Sequence, residues 1–242
     1  MSFSFEDHHL PSAGCSCPLH ARRLFTGLLA ASALVGPAWA QEGVQGDVGR
    51  TSRFTKLVSA EQVEGAAAQQ YVSMLRAADQ KRALAPADHP QVQRLRAIAR
   101  RIIPFTGPWN SRAPQWKWEV NLLLSKELNA FCMPGGKIAF YYGILQKLQL
   151  SDDEVATIMG HEVAHALREH ARERIGKTVA TRGAVELGSL LLGLGNTGRT
   201  LADMGGQLLT LKFSRDDETE ADIVGMDLAA RAGYDPAAGA ST

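Results

Sequence analysis

The sequence lacks several features that would assign it to particular classes of protein. Its 242 residues carry 26 basic and 25 acidic side chains, and the basic residues form no tract of the kind used to bind nucleic acid. No apolar run is long enough to cross a bilayer. Cys132 is the only cysteine after residue 40, so a disulfide framework is excluded. We expect Cys132 to be a buried apolar residue, with a reactive thiol as the alternative.

The first forty residues have the pattern of an export signal. Arg22 and Arg23 precede an apolar run over residues 24–35, and Ala38-Trp39-Ala40 offers the small-x-small pattern of a signal peptidase site. We therefore expect residues 1–40 to be a cleavable signal that directs the chain to the periplasm. The two arginines also suggest the twin-arginine route, but the Sec route is favoured.

The rest of the chain is interpreted as a leader and one domain. Residues 41–58 are predicted to be a flexible leader, because glycine and polar residues dominate their first part. Apolar residues at helical spacing follow the capping box of Ser59 and Gln62 and predict a helix. Apolar and polar residues alternate over residues 116–124, which predicts a strand. Pro134-Gly135-Gly136 predicts a tight turn between two further strands. Helices on both sides of this block of strands make residues 59–242 an α+β domain.

Two histidines after the strands are spaced to share a metal ion. His161 and His165 lie four positions apart in a segment whose capping box, Ser151 and Glu154, predicts a helix. Both imidazoles therefore project from one face of that helix. Glu162 stands beside the first histidine and can act as a general base on a metal-activated water. This is the H-E-x-x-H pattern of zinc peptidases.

A third protein ligand is expected, because catalytic zinc sites usually hold three and keep one position open. A metzincin would need glycine at position 168 and histidine at position 171, where this chain has Arg168 and Ala171. On a continuous helix, His170 would lie about 180° around the axis from His161. We therefore interpret His170 as structural and look further along the chain.

The segment after Ser214 offers carboxylates at helical spacing. Two acids and three small residues share one face: Glu218, Ala221, Asp222, Gly225 and Ala229. Such a face is a poor core stripe, but it suits a helix that lies close to another helix and offers it acid. We predict that Glu218 is the third ligand and that Asp222 orients a ligand histidine through its ring N–H.

The acids and the glycines of these two helices allow further interpretations. The alternative to a ligand set is that Glu218 and Asp222 are surface acids in a charged stretch, and Glu220 is predicted to face elsewhere, into solvent. Gly160 and Gly225 are explained together as small residues that let the two helices approach. Gly160 would otherwise cost its helix about 1 kcal/mol relative to alanine.

Four motifs in one order give a specific resemblance over roughly residues 90–236. They lie at residues 129–136, 160–165, 214–225 and 232–236. Together they resemble the HtpX/CAAX-prenyl-protease family of gluzincin zinc peptidases, especially its soluble, exported bacterial members related to mitochondrial Oma-type proteases. The resemblance implies a zincin-like fold in which the motif helix packs between a small β-sheet and further helices. It also implies one zinc ion per chain, bound by His161, His165 and Glu218. Glu162 would be the general base, and Asp222 would accept a hydrogen bond from a ligand histidine.

The resemblance also implies a substrate and a reaction. In such enzymes an extended polypeptide lies against an edge strand above the motif helix, and Asn129, Ala130 and Phe131 are the candidates here. The implied function is endoproteolysis of unfolded or misassembled envelope proteins. Family members continue into further helices where this sequence stops at Thr242, so the domain is expected to lack C-terminal helices. The alternative function is a zinc-binding, chaperone-like module with little turnover.

One apolar segment could contact a membrane. Residues 183–195 are rich in glycine and leucine but too few to span a bilayer. A buried or partner-facing helix is the favoured interpretation of this segment, and peripheral membrane contact is the alternative.

Overall fold

A computed structural model describes residues 44–46, 48–49, 51–191, 208 and 212–241, without the side chains of 182–191 and 239–241. All of these residues belong to one compact unit, residues 41–242. The predicted export signal, residues 1–40, lies outside the described residues.

The described chain forms helices on both sides of a block of three strands, as predicted for an α+β fold. The helices are α1 Ala60–Gln80, α2 Pro90–Ile102, α3 Tyr142–Leu148, α4 Asp152–Leu167, α5 His170–Leu191 and α6 Arg215–Arg231. The strands are β1 Glu119–Leu123, β2 Ala130–Met133 and β3 Lys137–Tyr141. Short 3-10 segments occur at Arg53–Leu57, Ile103–Phe105, Ala113–Gln115 and Pro236–Ser241.

Three long helices begin at capping boxes, in which an N-cap serine and the third helical residue satisfy each other's backbone N–H groups. The pairs are Ser59 with Gln62, Ser151 with Glu154, and Ser214 with Asp217. The first two confirm the predicted starts of α1 and α4. Acidic residues in the first turns of α4 and α6 also complement the helix dipole.

The sheet has the strand order β1-β3-β2. β2 and β3 form the predicted antiparallel hairpin, and Gly135 and Gly136 adopt φ values of 81° and 76° in its turn, where residues with a Cβ are strained. β1 runs parallel to β3, a pairing that the alternating pattern did not reveal. β1 is also shorter than predicted, because Trp116 ends the 3-10 segment Ala113–Gln115 and the pairing with β3 begins only at Glu119.

Helix α4 occupies the centre of the fold. One side of it packs on β2 and on α2, and the other packs along α6. At the crossing of α4 and α6, a Cβ added to Gly160 would lie 2.6 Å from the Gly225 carbonyl oxygen. A Cβ on Gly225 would lie 2.6 Å from the His161 backbone nitrogen. The predicted role of these two glycines is thereby confirmed, and the crossing brings the acidic turn of α6 beside the motif histidines.

The described residues of the segment predicted to be a flexible leader contact the domain at several points. Val44 is 2% exposed, and the Gln45 N–H donates to the Trp109 carbonyl at 2.7 Å. The 3-10 helix Arg53–Leu57 is capped by Ser52 and packs on α5. The glycines that suggested flexibility are explained by conformation, because Gly46 and Gly49 adopt φ values of 92° and 66°.

The glycine- and leucine-rich segment is helical as far as α5 extends, to Leu191. Residues 192–195 of that segment lie outside the described residues. Within the described ranges, no helix combines the length and apolar character that crossing a membrane requires.

Candidate metal centre

Helix α4 presents both motif histidines to one point. The Nε2 atoms of His161 and His165 are 3.1 Å apart, one helical turn from each other. The His161 side chain is 25% exposed and that of His165 is 5% exposed. One ligand nitrogen is therefore open to the cleft and the other is buried beneath it.

Glu218, in the first turn of α6, brings a carboxylate to the same point. Its Oε2 lies 3.4 Å from His161 Nε2, and its Oε1 lies 3.8 Å from His165 Nε2. The three groups offer ligand atoms that all lie within 4.8 Å of one another. Around one tetrahedral zinc ion with bonds of about 2.0–2.2 Å, ligand atoms stand roughly 3.3–3.5 Å apart. The donor set and its spacing therefore fit a zinc ion.

Asp222 lies one turn further along α6, behind His161. Its Oδ1 is 2.9 Å from His161 Nδ1. Because a carboxylate only accepts hydrogen bonds, Nδ1 carries a proton, and Nε2 is the ring nitrogen that faces Glu218 and His165. The structure thus brings together His161, His165, Glu218 and Asp222, the residues that the sequence predicted to bind the metal or to orient one of its ligands.

Burial at this point favours the neutral form of His165 and, without a metal, the protonated form of Glu162. Burial, followed by the neighbouring His170 and His161, lowers the pKa of His165 to about 3, so its imidazole is neutral. Burial and the nearby Glu218 carboxylate raise the pKa of Glu162 to about 8. A bound cation favours the ionised carboxylate and lowers that pKa again. Glu162 lines the same cleft as the two histidines, as a base must.

His170 does not lie where the sequence argument placed it. Helix α4 ends at Leu167, Glu169 adopts a φ of 57°, and α5 begins at His170. The break turns His170 back, so that its Nδ1 lies 2.9 Å from Nδ1 of His165. His170 therefore lies outside the three-ligand group, on the far side of a ligand ring.

The prediction that Glu220 faces solvent is wrong. Its side chain is 19% exposed, and its Oε2 accepts from Arg168 Nε at 2.9 Å. The same oxygen lies 3.4 Å from His170 Nε2. Because α6 starts with its acidic turn against α4, Glu220 meets the end of α4, and neither contact is visible in the spacing of α6 alone.

Phe213 was missed by sequence reasoning. Its ring stacks on the His165 ring, with centroids 4.2 Å apart and planes 20° from parallel. It directly precedes the Ser214 cap, where an apolar residue commonly packs against the helix it introduces. That position would have identified Phe213 as buried, but not its contact with a ligand histidine.

A cleft of about 220 Å³ opens above the three ligand groups. Its lining includes the segment from Asn129 to Pro134, which contains β2, and also Phe213 and Leu208. β2 pairs only with β3, and its other edge has no strand partner among the described residues. The three residues predicted to hold substrate, Asn129, Ala130 and Phe131, therefore all line the cleft.

The register of the hairpin shows which backbone groups of β2 face the cleft. The Tyr141 N–H donates to the Asn129 carbonyl at 3.0 Å. Because bonded and non-bonded pairs alternate in an antiparallel ladder, Phe131 also bonds to β3, whereas Ala130 and Cys132 turn their N–H and C=O groups away from it. Ala130 and Cys132 thus offer the backbone groups at the free edge.

The Cys132 side chain is buried, 8% exposed, beneath this edge. Burial and the neighbouring Glu162 carboxylate raise the pKa of its thiol well above the ordinary value. The prediction of a buried apolar cysteine is therefore confirmed.

Comparison with known proteins assigns the chain to a family. Residues 89–241, more than half of the chain, match the profile of peptidase family M48. The chain belongs to peptidase family M48. This confirms the resemblance read from the four motifs. Membership of the M48 family also implies a metal ion, which the His161, His165 and Glu218 group is placed to bind.

Several M48 relatives are similar in sequence. Mitochondrial metalloendopeptidase OMA1 of Arabidopsis thaliana is 43% identical over 121 residues, or 49% of this chain and 24% of the relative. Its namesake in Schizosaccharomyces pombe is 35% identical over 152 residues, or 62% and 42%. Metalloprotease LoiP of Escherichia coli is 28% identical over 163 residues, or 66% and 60%. This chain thus matches between about a quarter and three fifths of the length of these relatives.

Proposed function

We propose that this chain is a zinc-dependent endopeptidase that cleaves extended polypeptides. The observation that carries the proposal is the convergence of two Nε2 atoms and one carboxylate beside Glu162, under a free strand edge. The family and the printed names of the relatives, metalloendopeptidase and metalloprotease, support it.

The proposed ligands are His161, His165 and Glu218. A bound zinc ion would act as a Lewis acid that activates water and polarises a peptide carbonyl. Asp222 would hold the His161 ring by accepting from Nδ1, which keeps the lone pair of Nε2 directed to the site. With two ligands from α4 and one from α6, a four-coordinate zinc ion would keep one coordination position open to the cleft.

Glu162 is proposed to move the proton in the reaction. As a carboxylate it would take a proton from the attacking water, and as a carboxylic acid it would return that proton to the leaving amine. Its partly buried position, with the pKa raised to about 8 before any metal is bound, suits a group that alternates between these forms.

The substrate is proposed to bind as an added strand on the free edge of β2. Backbone N–H and C=O groups of Ala130 and Cys132 would pair with the peptide, while the side chains of Asn129 and Phe131 would line its path. Recognition through the backbone requires an extended segment, so unfolded or misassembled proteins are the proposed class of substrate.

The proposed location is the periplasm, reached by the Sec route. The pattern of residues 1–40 supports export, and a relative in Escherichia coli named beta-barrel assembly-enhancing protease is 27% identical over 125 residues. Misassembled envelope proteins are the proposed natural substrates on that basis.

The test is cleavage of unfolded casein by the zinc-loaded chain. Glu162→Gln should retain zinc and reduce cleavage by about a hundredfold or more, because a general base typically contributes 10²–10⁴. Glu173→Gln, a change of the same kind in the partly buried ion pair with Lys177 on α5, is the matched control and should cleave normally. Zinc binding without any cleavage by the unmodified chain would instead favour the chaperone-like alternative.

A further inference from the structure

A line of polar contacts leads away from His165 on the side opposite the proposed metal. His165 Nδ1 lies 2.9 Å from His170 Nδ1, and His170 Nε2 lies 3.4 Å from Glu220 Oε2. Arg168 Nε donates to the same Glu220 oxygen at 2.9 Å. The side chains of His165, His170 and Arg168 are each at most 5% exposed. Water is therefore largely excluded along this line.

The order of donors and acceptors along the line can be read from its outer end. Glu220, paired with Arg168, is a carboxylate and can only accept, so His170 Nε2 carries a proton. A neutral imidazole with its proton on Nε2 presents a lone pair at Nδ1. His165 Nδ1 faces that lone pair and must donate to it. The remaining lone pair of His165 then lies on Nε2, 3.1 Å from His161 Nε2.

We propose that His170, Glu220 and Arg168 are positioning residues that select the metal-binding tautomer of His165 and hold its ring in place. The inference rests on the proposed role of His165 as a ligand. It assigns a function to three residues that approach the metal position only through His165. Phe213 completes the restraint by stacking on the same ring.

The segment before the domain takes part in the same arrangement. Arg168 Nη1 donates to the Gln45 carbonyl at 2.9 Å, and its Nη2 donates to the Val48 carbonyl. Gly49 packs so closely that a Cβ there would lie 1.4 Å from Glu220 Oε1. Gln45, Val48 and Gly49 therefore hold Arg168 and Glu220 from outside, which couples these residues to the geometry of the proposed metal ligand.

The direct test is the protonation pattern of the histidine rings in the metal-free protein. A long-range proton–nitrogen correlation spectrum of ¹⁵N-histidine-labelled protein should show His165 protonated on Nδ1 and His170 on Nε2. His89 is an internal reference, because its Nδ1 accepts from the Gln91 N–H and its proton must lie on Nε2. A His165 ring protonated on Nε2, or a doubly protonated His170, would overturn the proposal.

Zinc affinity, measured by competition with a chelator, tests the consequence. His170→Leu removes the acceptor and should weaken zinc binding by about 10–100-fold, as losses behind a ligand typically do. His170→Asn offers an amide oxygen near the Nδ1 position and should bind zinc nearly as well as the unmodified chain. Gly49→Ala, which displaces Glu220 from outside, should weaken binding in the same direction as His170→Leu.

A matched control separates positioning from a general loss of stability. Ile98→Val trims a buried core side chain on α2, so it should lower the unfolding temperature and leave zinc affinity unchanged. Equal zinc affinity in His170→Leu and the unmodified chain, or equal losses in the Leu and Asn variants, would refute the proposal. Neither readout needs turnover: a chain that shows the predicted tautomers and zinc affinities but cleaves nothing refutes only the proposed endopeptidase.

Discussion

The crossing of α4 and α6 makes Gly225→Ala the most informative single substitution. The new Cβ would lie 2.6 Å from the His161 nitrogen, 2.8 Å from the Gly160 carbonyl carbon and 2.8 Å from the His161 Cα. All three are backbone atoms of a helix, so no side chain can rotate away. The helices must separate by roughly 0.8–1 Å to restore ordinary contacts of about 3.5 Å.

The change in stability has two opposing parts. Overpacking a close contact costs about 1–3 kcal/mol. Replacing glycine by alanine within a helix gains about 1 kcal/mol. The net loss in unfolding free energy is therefore about 0–2 kcal/mol, which is small for a change at the centre of the fold. Stability alone would make Gly225 look unimportant.

Zinc binding should suffer more than stability. Ligand distances tolerate changes of about 0.2 Å, and the expected separation moves Glu218 away from both histidines by several times that amount. Gly225→Ala should therefore lose zinc affinity while remaining folded, as measured by chelator competition and thermal unfolding of the metal-free protein. Gly65→Ala on α1 is the matched control, because its added Cβ meets nothing within 4 Å and should only stabilise the protein slightly. Undiminished zinc affinity in Gly225→Ala would refute this account of the crossing.

Three further outcomes are expected. Glu218→Ala should sharply lower the zinc content found by metal analysis, and full occupancy would place the third ligand elsewhere. Cys132 should resist alkylation in the folded protein and react on unfolding, because burial raises its pKa and excludes reagent. In the metal-free protein, the raised pKa of Glu162 should make stability fall as the pH rises from 4.5 to about 8, because the folded state binds the extra proton there. Glu162→Gln should remove this slope in chemical unfolding, and an unchanged slope would assign it to another group.

The sequence was sufficient for the parts of the site that depend on one helix at a time. Capping boxes located the starts of α1 and α4, and the four-residue spacing placed His161 and His165 on one face. The stripe on α6 predicted its close approach to another helix, because small residues beside two carboxylates fit no ordinary core. Each of these inferences used a local rule that tertiary contacts did not override.

The sequence-based predictions were wrong or incomplete where a helix breaks and where segments far apart in sequence come into contact. His170 was placed on a continued α4, but Glu169 takes a left-handed conformation that begins a new helix. Glycine is the usual residue at such a break, and none stands there to signal it. The parallel pairing of β1 with β3 and the contact of Glu220 with Arg168 likewise join segments far apart in sequence. No periodicity within either segment records such a pairing.

The two proposed ligand histidines have different groups behind their rings, and burial explains the difference. The half-buried His161 is backed directly by Asp222, a carboxylate that remains 64% exposed and keeps most of its hydration. A carboxylate placed directly behind the buried His165 would lose its water, at an effective cost of several kcal/mol. His170, a neutral group between His165 and Glu220, moves the charge outward to where Arg168 can pair with it. If His165 binds the metal as proposed, a buried acceptor without a charge is what this position requires, and a neutral histidine at position 170 meets that requirement.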